Sequence, residues 1–207
     1  MFDRSVRTII DPSLNRIGRF LAGVGVSANA VTWTGFSLGC AAAFCISQHL
    51  YLWGLFLLLM SRLCDGLDGS VARADQSGQG STDLGGFLDI VLDFAFYGMI
   101  PFAFIVADLS ANGIAGGLLL LVFYANGASF LTYALMLEKR GLDAEDRGSK
   151  SLVYTTGLAE GTETIAVFVL FCLFPSWFAT IAYVFSAVVV VTTLTRFVLA
   201  YQVFGRS

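Results

Sequence analysis

Long apolar runs broken by short polar clusters set the pattern of this chain. Six of them, near residues 29–48, 50–74, 83–107, 112–138, 160–178 and 179–204, are each long enough to cross a bilayer at roughly 20 residues per span. Pro175, Ser176 and Trp177 mark a tight turn between the last two. Ahead of the first run, Asp11 and Pro12 read as an N-cap and first helical position. From there Leu14, Ile17 and Leu21 fall on one helical face, with Arg16 and Arg19 available to anionic headgroups. The pattern predicts an all-α polytopic membrane protein. An interfacial amphipathic helix within residues 1–25 precedes a six-helix transmembrane bundle over 29–204, and residues 1–207 form one domain without a sequence repeat.

Two of the spans are interrupted in a way that demands chemistry. The second carries Asp65 and Asp68, and the third carries Asp89 and Asp93. A carboxylate at bilayer depth costs about 2.5 to 3.5 kcal/mol on insertion scales. Spacings of three and four place each pair on one helical face, one turn apart. Gly69 and Arg73 continue the first stripe, and Gly85 begins the second. Facing each other, the stripes would form a four-carboxylate pocket whose glycines admit a close approach of ligand or backbone.

Composition changes the picture only by agreeing with it. Of the 207 residues 57% are hydrophobic and 13% charged, and the mean hydropathy is +0.77, far from a soluble domain. The net charge of −3 and the absence of a basic tract exclude a nucleic-acid partner. Cys40, Cys45, Cys64 and Cys172 lie in apolar stretches without metal-like spacing and read as small hydrophobes. The N-terminus lacks the pattern of a signal peptide. The distribution of basic residues sets the orientation: Arg4, Arg7, Arg16, Arg19, Arg73, Lys139, Arg140, Arg147, Lys150 and Arg206 all fall on one side of an even number of spans. Both termini and the carboxylate pocket are therefore expected to face the cytoplasm.

Four acids in one pocket repel one another, and divalent cations relieve the repulsion. An all-oxygen set without a neighbouring His or Cys pair selects Mg²⁺ or Mn²⁺ over zinc. Two such ions would suit displacement at phosphorus, and Arg73 is placed to hold a phosphate. Arg62 is expected to neutralise Asp65 or another buried acid rather than touch substrate. His49, in the opposite loop, is no ligand candidate.

Asp65-x2-Asp68-Gly69-x2-Ala72-Arg73 followed by Gly85-x3-Asp89-x3-Asp93 resembles the signature of the CDP-alcohol phosphotransferase family. There the second half usually follows the arginine after eight residues, whereas here eleven intervene, residues 74–84. A cytoplasmic turn in the Gln-Ser-Gly-Gln-Gly-Ser run can absorb the difference, so the departure bears on loop contacts and not on the carboxylates. The resemblance implies that Asp65, Asp68 and Asp89 ligate metal, and that Asp93 borders the metals and acts as catalytic base. It implies that Gly69, Ala72, Arg73 and Gly85 line the CDP moiety. The segment Ser27-Ala28-Asn29-Ala30-Val31-Thr32 is similar to a family segment that also holds the nucleotide, with Ala28 where proline is usual, so Asn29 and Thr32 join the CDP-binding candidates; Ser27 or Asn29 can also cap the first spanning helix.

By the same resemblance the activity is transfer of a phosphatidyl group from CDP-diacylglycerol to the hydroxyl of a small polar alcohol, with release of CMP, in phospholipid synthesis by a homodimer. Arg196 in the sixth span, with Lys139 and Lys150, is a candidate for a phosphorylated acceptor such as glycerol 3-phosphate or inositol phosphate. Two other readings remain open at this level. A headgroup transferase would use CDP-choline or CDP-ethanolamine with diacylglycerol as acceptor. A cation- or proton-coupled transporter would instead spread its acids along a path through the membrane.

Overall fold

The computed structural model describes residues 3–74, 82–141 and 161–205, and side chains from Pro12 onward within them. These residues form seven α-helices: α1 (Asp3–Gly23), α2 (Ala28–Ser47), α3 (Tyr51–Ala74), α4 (Asp83–Ala107), α5 (Leu109–Lys139), α6 (Gly161–Leu173) and α7 (Phe178–Phe204), with a 3₁₀ turn at Pro175–Trp177 before α7. The described structure is all-helical. Four of its helical stretches, α2, α4, α5 and Pro175–Phe204, are long and apolar enough to cross a membrane, as expected of an integral membrane protein. The charged side chains of α3 set that 24-residue helix apart from them.

Local chemistry fixes the helix starts. Ser27 caps α2 by accepting from the Ala30 amide, Thr82 caps α4 by accepting from Gly85, and Asp108 caps α5 by accepting from Ala111. Between α2 and α3, His49 takes the left-handed conformation with φ 62°. The expected start at Asp11–Pro12 is not where α1 begins; the helix runs from Asp3 with Pro12 inside it. A proline removes one intrahelical hydrogen bond and favours a first turn without dictating one.

Buried aromatics from several helices make the main core. Phe104 of α4 stacks on Phe178 of α7 with centroids 4.8 Å apart, and Phe171 of α6 lies 4.5 Å from the same Phe178 ring. Leu14 of α1, Val31 of α2, and Leu67 and Val71 of α3 form a smaller cluster beside the carboxylate stripe. Leu21 packs against that cluster, whereas Ile17 is 43% exposed. Helix α1 thus spends part of its apolar face on α3 itself.

Candidate active site

Helices α2, α3 and α4 converge on the signature residues. A narrow open cleft is lined by Asp65 of α3, Asp89 and Asp93 of α4, and Thr32 of α2, together with Phe36, Ser61 and Arg62. Asp65 of the first stripe and both acids of the second thus share one cleft. Asp68, only 7% exposed, stands one turn along α3. Its Oδ2 accepts from the Thr32 hydroxyl at 2.6 Å, and its Oδ1 accepts from the Gly69 amide at 2.6 Å. Bonds of this charge-assisted kind offset the cost of a desolvated carboxylate.

Arg62 supplies the positive charge. Its Nη1 lies 2.5 Å from Asp93 Oδ1 and 3.4 Å from Asp65 Oδ1, so it neutralises an acid on each helix. The sequence pointed to Asp65 through its three-residue spacing, but the partner on α4 is 31 positions away and depends on how the helices face each other. Among the described residues, no three acids close around a common point tightly enough to enclose an ion. The donors nevertheless suit a hard divalent cation: the carboxylates of Asp65, Asp89 and Asp93 with the Thr32 and Ser61 hydroxyls at the cleft, and Asp68 bonded to Thr32 beside it, all oxygen.

The nucleotide candidates lie around the same ends of α2, α3 and α4. A methyl group built on Gly85 would stand 3.5 Å from Asn29 Oδ1, and one on Gly69 would stand 3.3 Å from an Arg73 guanidinium nitrogen. Both glycines therefore sit beside polar side chains of the nucleotide candidates. Arg73, exposed at the end of α3, donates to Ser70 Oγ at 3.1 Å and to Asn15 Oδ1 of α1 at 3.4 Å. Asn15 escaped the sequence reading because nothing in its spacing links it to a residue 58 positions on. Ala72 is half-buried beside Arg73.

The acceptor candidates stand apart from the carboxylate cleft. Arg196 of α7 donates from Nη1 to Asn126 O at 3.0 Å, Asn126 Oδ1 at 2.9 Å and Ser129 Oγ at 2.7 Å, all on α5. It borders a second cavity of about 140 Å³ with Phe130, Tyr133, Ala134, Leu137 and Leu199. No residue lines both cavities. Lys139 is exposed at the last turn of α5, and Lys150 lies outside the described residues.

The chain is similar to several known proteins. A family model described as CDP-alcohol phosphatidyltransferase matches residues 25–198. The inner membrane protein YnjF of Escherichia coli is 44% identical over 95% of this chain and 93% of its own. An archaetidylinositol phosphate synthase of Methanothermobacter thermautotrophicus is 32% identical over 78% of this chain and 70% of its own. The fold is shared with a phosphatidylinositol phosphate synthase of Mycobacterium tuberculosis, crystallised with CDP-DAG bound. That likeness has a TM-score of 0.72 at 20% identity and covers 91% of this chain and 93% of the other.

Proposed function

The chain belongs to the CDP-alcohol phosphatidyltransferase family, and on that premise we propose that it transfers a phosphatidyl group from CDP-diacylglycerol to the hydroxyl of a small polar alcohol, releasing CMP. The observation that carries the reading is the meeting of the two signature halves at one cleft, with Asp65 facing Asp89 and Asp93 and with Asp68 held beside them by Thr32. Members of the family generally depend on a divalent metal. Mg²⁺ or Mn²⁺, two ions on the family pattern, held by Asp65, Asp68, Asp89 and Asp93, would polarise phosphate oxygens and offset the charge gathering on departing CMP.

The chain's own residues do the rest. Asp93 takes the proton from the acceptor hydroxyl, whose oxygen attacks the phosphorus that carries the diacylglycerol. The bond from that phosphorus to the bridging oxygen breaks, and CMP leaves with the electron pair. Asn29, Gly69, Ala72, Arg73 and Gly85 hold the CDP moiety, the glycines by allowing close approach and Arg73 by charge-assisted hydrogen bonds to phosphate, while Thr32, the remaining candidate of that group, serves the site through its hydrogen bond to Asp68. The archaeal relative is named for making an inositol phosphate lipid, which favours a phosphorylated acceptor. Arg196, with Lys139 and Lys150, is then the cationic candidate for its phosphate. Six spans with an interfacial α1, cytoplasmic termini, a cytoplasmic cleft and a homodimer complete the reading. It is supported by the one-sided distribution of Lys and Arg and by family likeness.

The decisive assay is CMP release by the purified protein with Mg²⁺ or Mn²⁺, across a panel of alcohols that includes glycerol 3-phosphate and inositol phosphate. CDP-diacylglycerol should support turnover where CDP-choline does not. Asp93→Asn should abolish turnover and leave CDP-diacylglycerol binding intact. Near-normal turnover by that variant removes Asp93 as the base. Absence of both CMP release and CDP-lipid binding in the wild type removes the proposal.

A further inference from the structure

The Arg62 side chain sits where the carboxylate cluster most needs a positive charge, but its bonding is an unusual compromise. A single nitrogen, Nη1, serves both Asp93 of α4 and Asp65 of α3, at 2.5 and 3.4 Å. Among the described residues, Nη2 reaches only Ser61 Oγ, at 3.3 Å, and buried Nε has no hydrogen-bond partner. The guanidinium carbon stands 3.8 Å from the centroid of the fully buried Phe96 ring. An arginine committed to one permanent ion pair offers its planar fork to a carboxylate through two parallel bonds. Here one nitrogen is shared between acids of two helices, and among the described residues Nε donates to none.

We infer that Arg62 is the resident counter-cation of the carboxylate cluster: it holds Asp65 and Asp93 together while no divalent ion is bound, and it competes with the ion for them. This inference rests on the reading of the aspartates as metal ligands. A hard divalent ion draws on the negative charge of several carboxylates, and the Arg62 guanidinium, which already shares the charge of Asp93 and Asp65, would repel an ion placed among them. The ion carries twice the charge of the guanidinium, so its binding would weaken the Arg62 contacts with the carboxylates. The Phe96 face attracts the guanidinium independently of them, which leaves Arg62 a contact after it lets go. The arrangement offsets the repulsion between Asp65 and Asp93 of neighbouring helices in the absence of an ion. It does so at the expense of metal affinity.

The test uses full-length protein in detergent micelles: wild type, Arg62→Met and Arg62→Lys. Thermal unfolding is measured in EDTA and in saturating Mn²⁺, and free Mn²⁺ is followed by its electron paramagnetic resonance signal during titration. In EDTA, Arg62→Met should unfold at a lower temperature than wild type, and saturating Mn²⁺ should close the gap. Its Mn²⁺ midpoint should be tighter by about tenfold, the factor that removal of one charge-assisted hydrogen bond gives. Arg62→Lys, which keeps the charge without the fork, should fall between the two and serves in the same titration if Arg62→Met does not fold. A variant midpoint equal to or weaker than that of wild type overturns the competition while leaving the metal-site reading standing. Failure of wild type and variants alike to deplete free Mn²⁺ overturns the metal-site reading, and the competition with it.

Discussion

Replacing Thr32 by valine separates two roles that the residue could have at the site. The family likeness places Thr32 against the nucleotide, whereas its hydroxyl donates 2.6 Å to Asp68 Oδ2. The same oxygen is 3.1 Å from the Ala28 carbonyl, but the carboxylate is the nearer and the charged acceptor. Valine keeps the branched shape and removes only the donor, so Asp68, 7% exposed, loses its partner at one oxygen. A hydrogen bond to a charged group contributes about 1.5 to 3 kcal/mol. The other Asp68 oxygen stays bonded to the Gly69 amide at 2.6 Å, which retains much of the carboxylate's orientation. The lower part of the range therefore applies, about 1.5 to 2 kcal/mol, or roughly 10- to 30-fold in the Mn²⁺ concentration that supports half-maximal CMP release. The KM for CDP-diacylglycerol at saturating Mn²⁺ should stay at the wild-type value, and Thr32→Ser should restore the metal dependence. A Thr32→Val enzyme whose Mn²⁺ dependence is unmoved while its KM for the CDP-lipid rises would refute the positioning role and put Thr32 on the nucleotide.

Gly18→Ala tests the close seat of α1 on α3: the added carbon would lie 2.7 Å from Ser70 Cβ and 2.8 Å from the Ser70 carbonyl carbon, where carbons rest at about 3.5 to 4.0 Å. The helices must part by about 1 Å, at a cost of about 1 to 3 kcal/mol, and turnover should fall with the melting temperature because Ser70 and Asn15 both hold Arg73. Gly23→Ala on the same helix meets nothing within 4 Å, and equal effects from the two substitutions would contradict the packing argument. At the α4–α5 junction, the Ala111 amide, helped by the Ser110 hydroxyl, holds the exposed Asp108 carboxyl below its ordinary range. A carboxyl lowered by folding stabilises the fold above its unfolded pKa, and that contribution is lost as pH falls through the folded value. Asp108→Ala should therefore lower the melting temperature at neutral pH, with the gap to wild type narrowing in acid below the normal carboxylate range; a gap independent of pH would remove the charge from the cap.

What could be read from the sequence was local, and what could not was the rotation of each helix against its neighbours. The start and end expected for the third span, 83 and 107, are those of α4, because Thr82 caps it and the spacing of Asp89 and Asp93 is fixed by the helix itself. The pairing of Arg196 with Asn126, 70 positions apart, has no comparable signal, since either residue could have faced another helix. Residues 75–81, within the longer connection, and Lys150 fall outside the described residues. For the contact that matters most, between Thr32 and Asp68, a signal was present. Gly35 and Gly39 lie three and seven positions after Thr32, on one face of α2. A methyl group on Gly35 would meet Cys64 Cβ at 2.9 Å, and one on Gly39 would meet the Phe96 ring at 2.8 Å. Small residues four apart let membrane helices approach closely, so this pair sets the face that α2 turns to α3 and α4. Thr32, one turn before Gly35 on that face, is thereby carried to the aspartate stripe. The glycines of α2 thus orient the site as much as those of the signature open it.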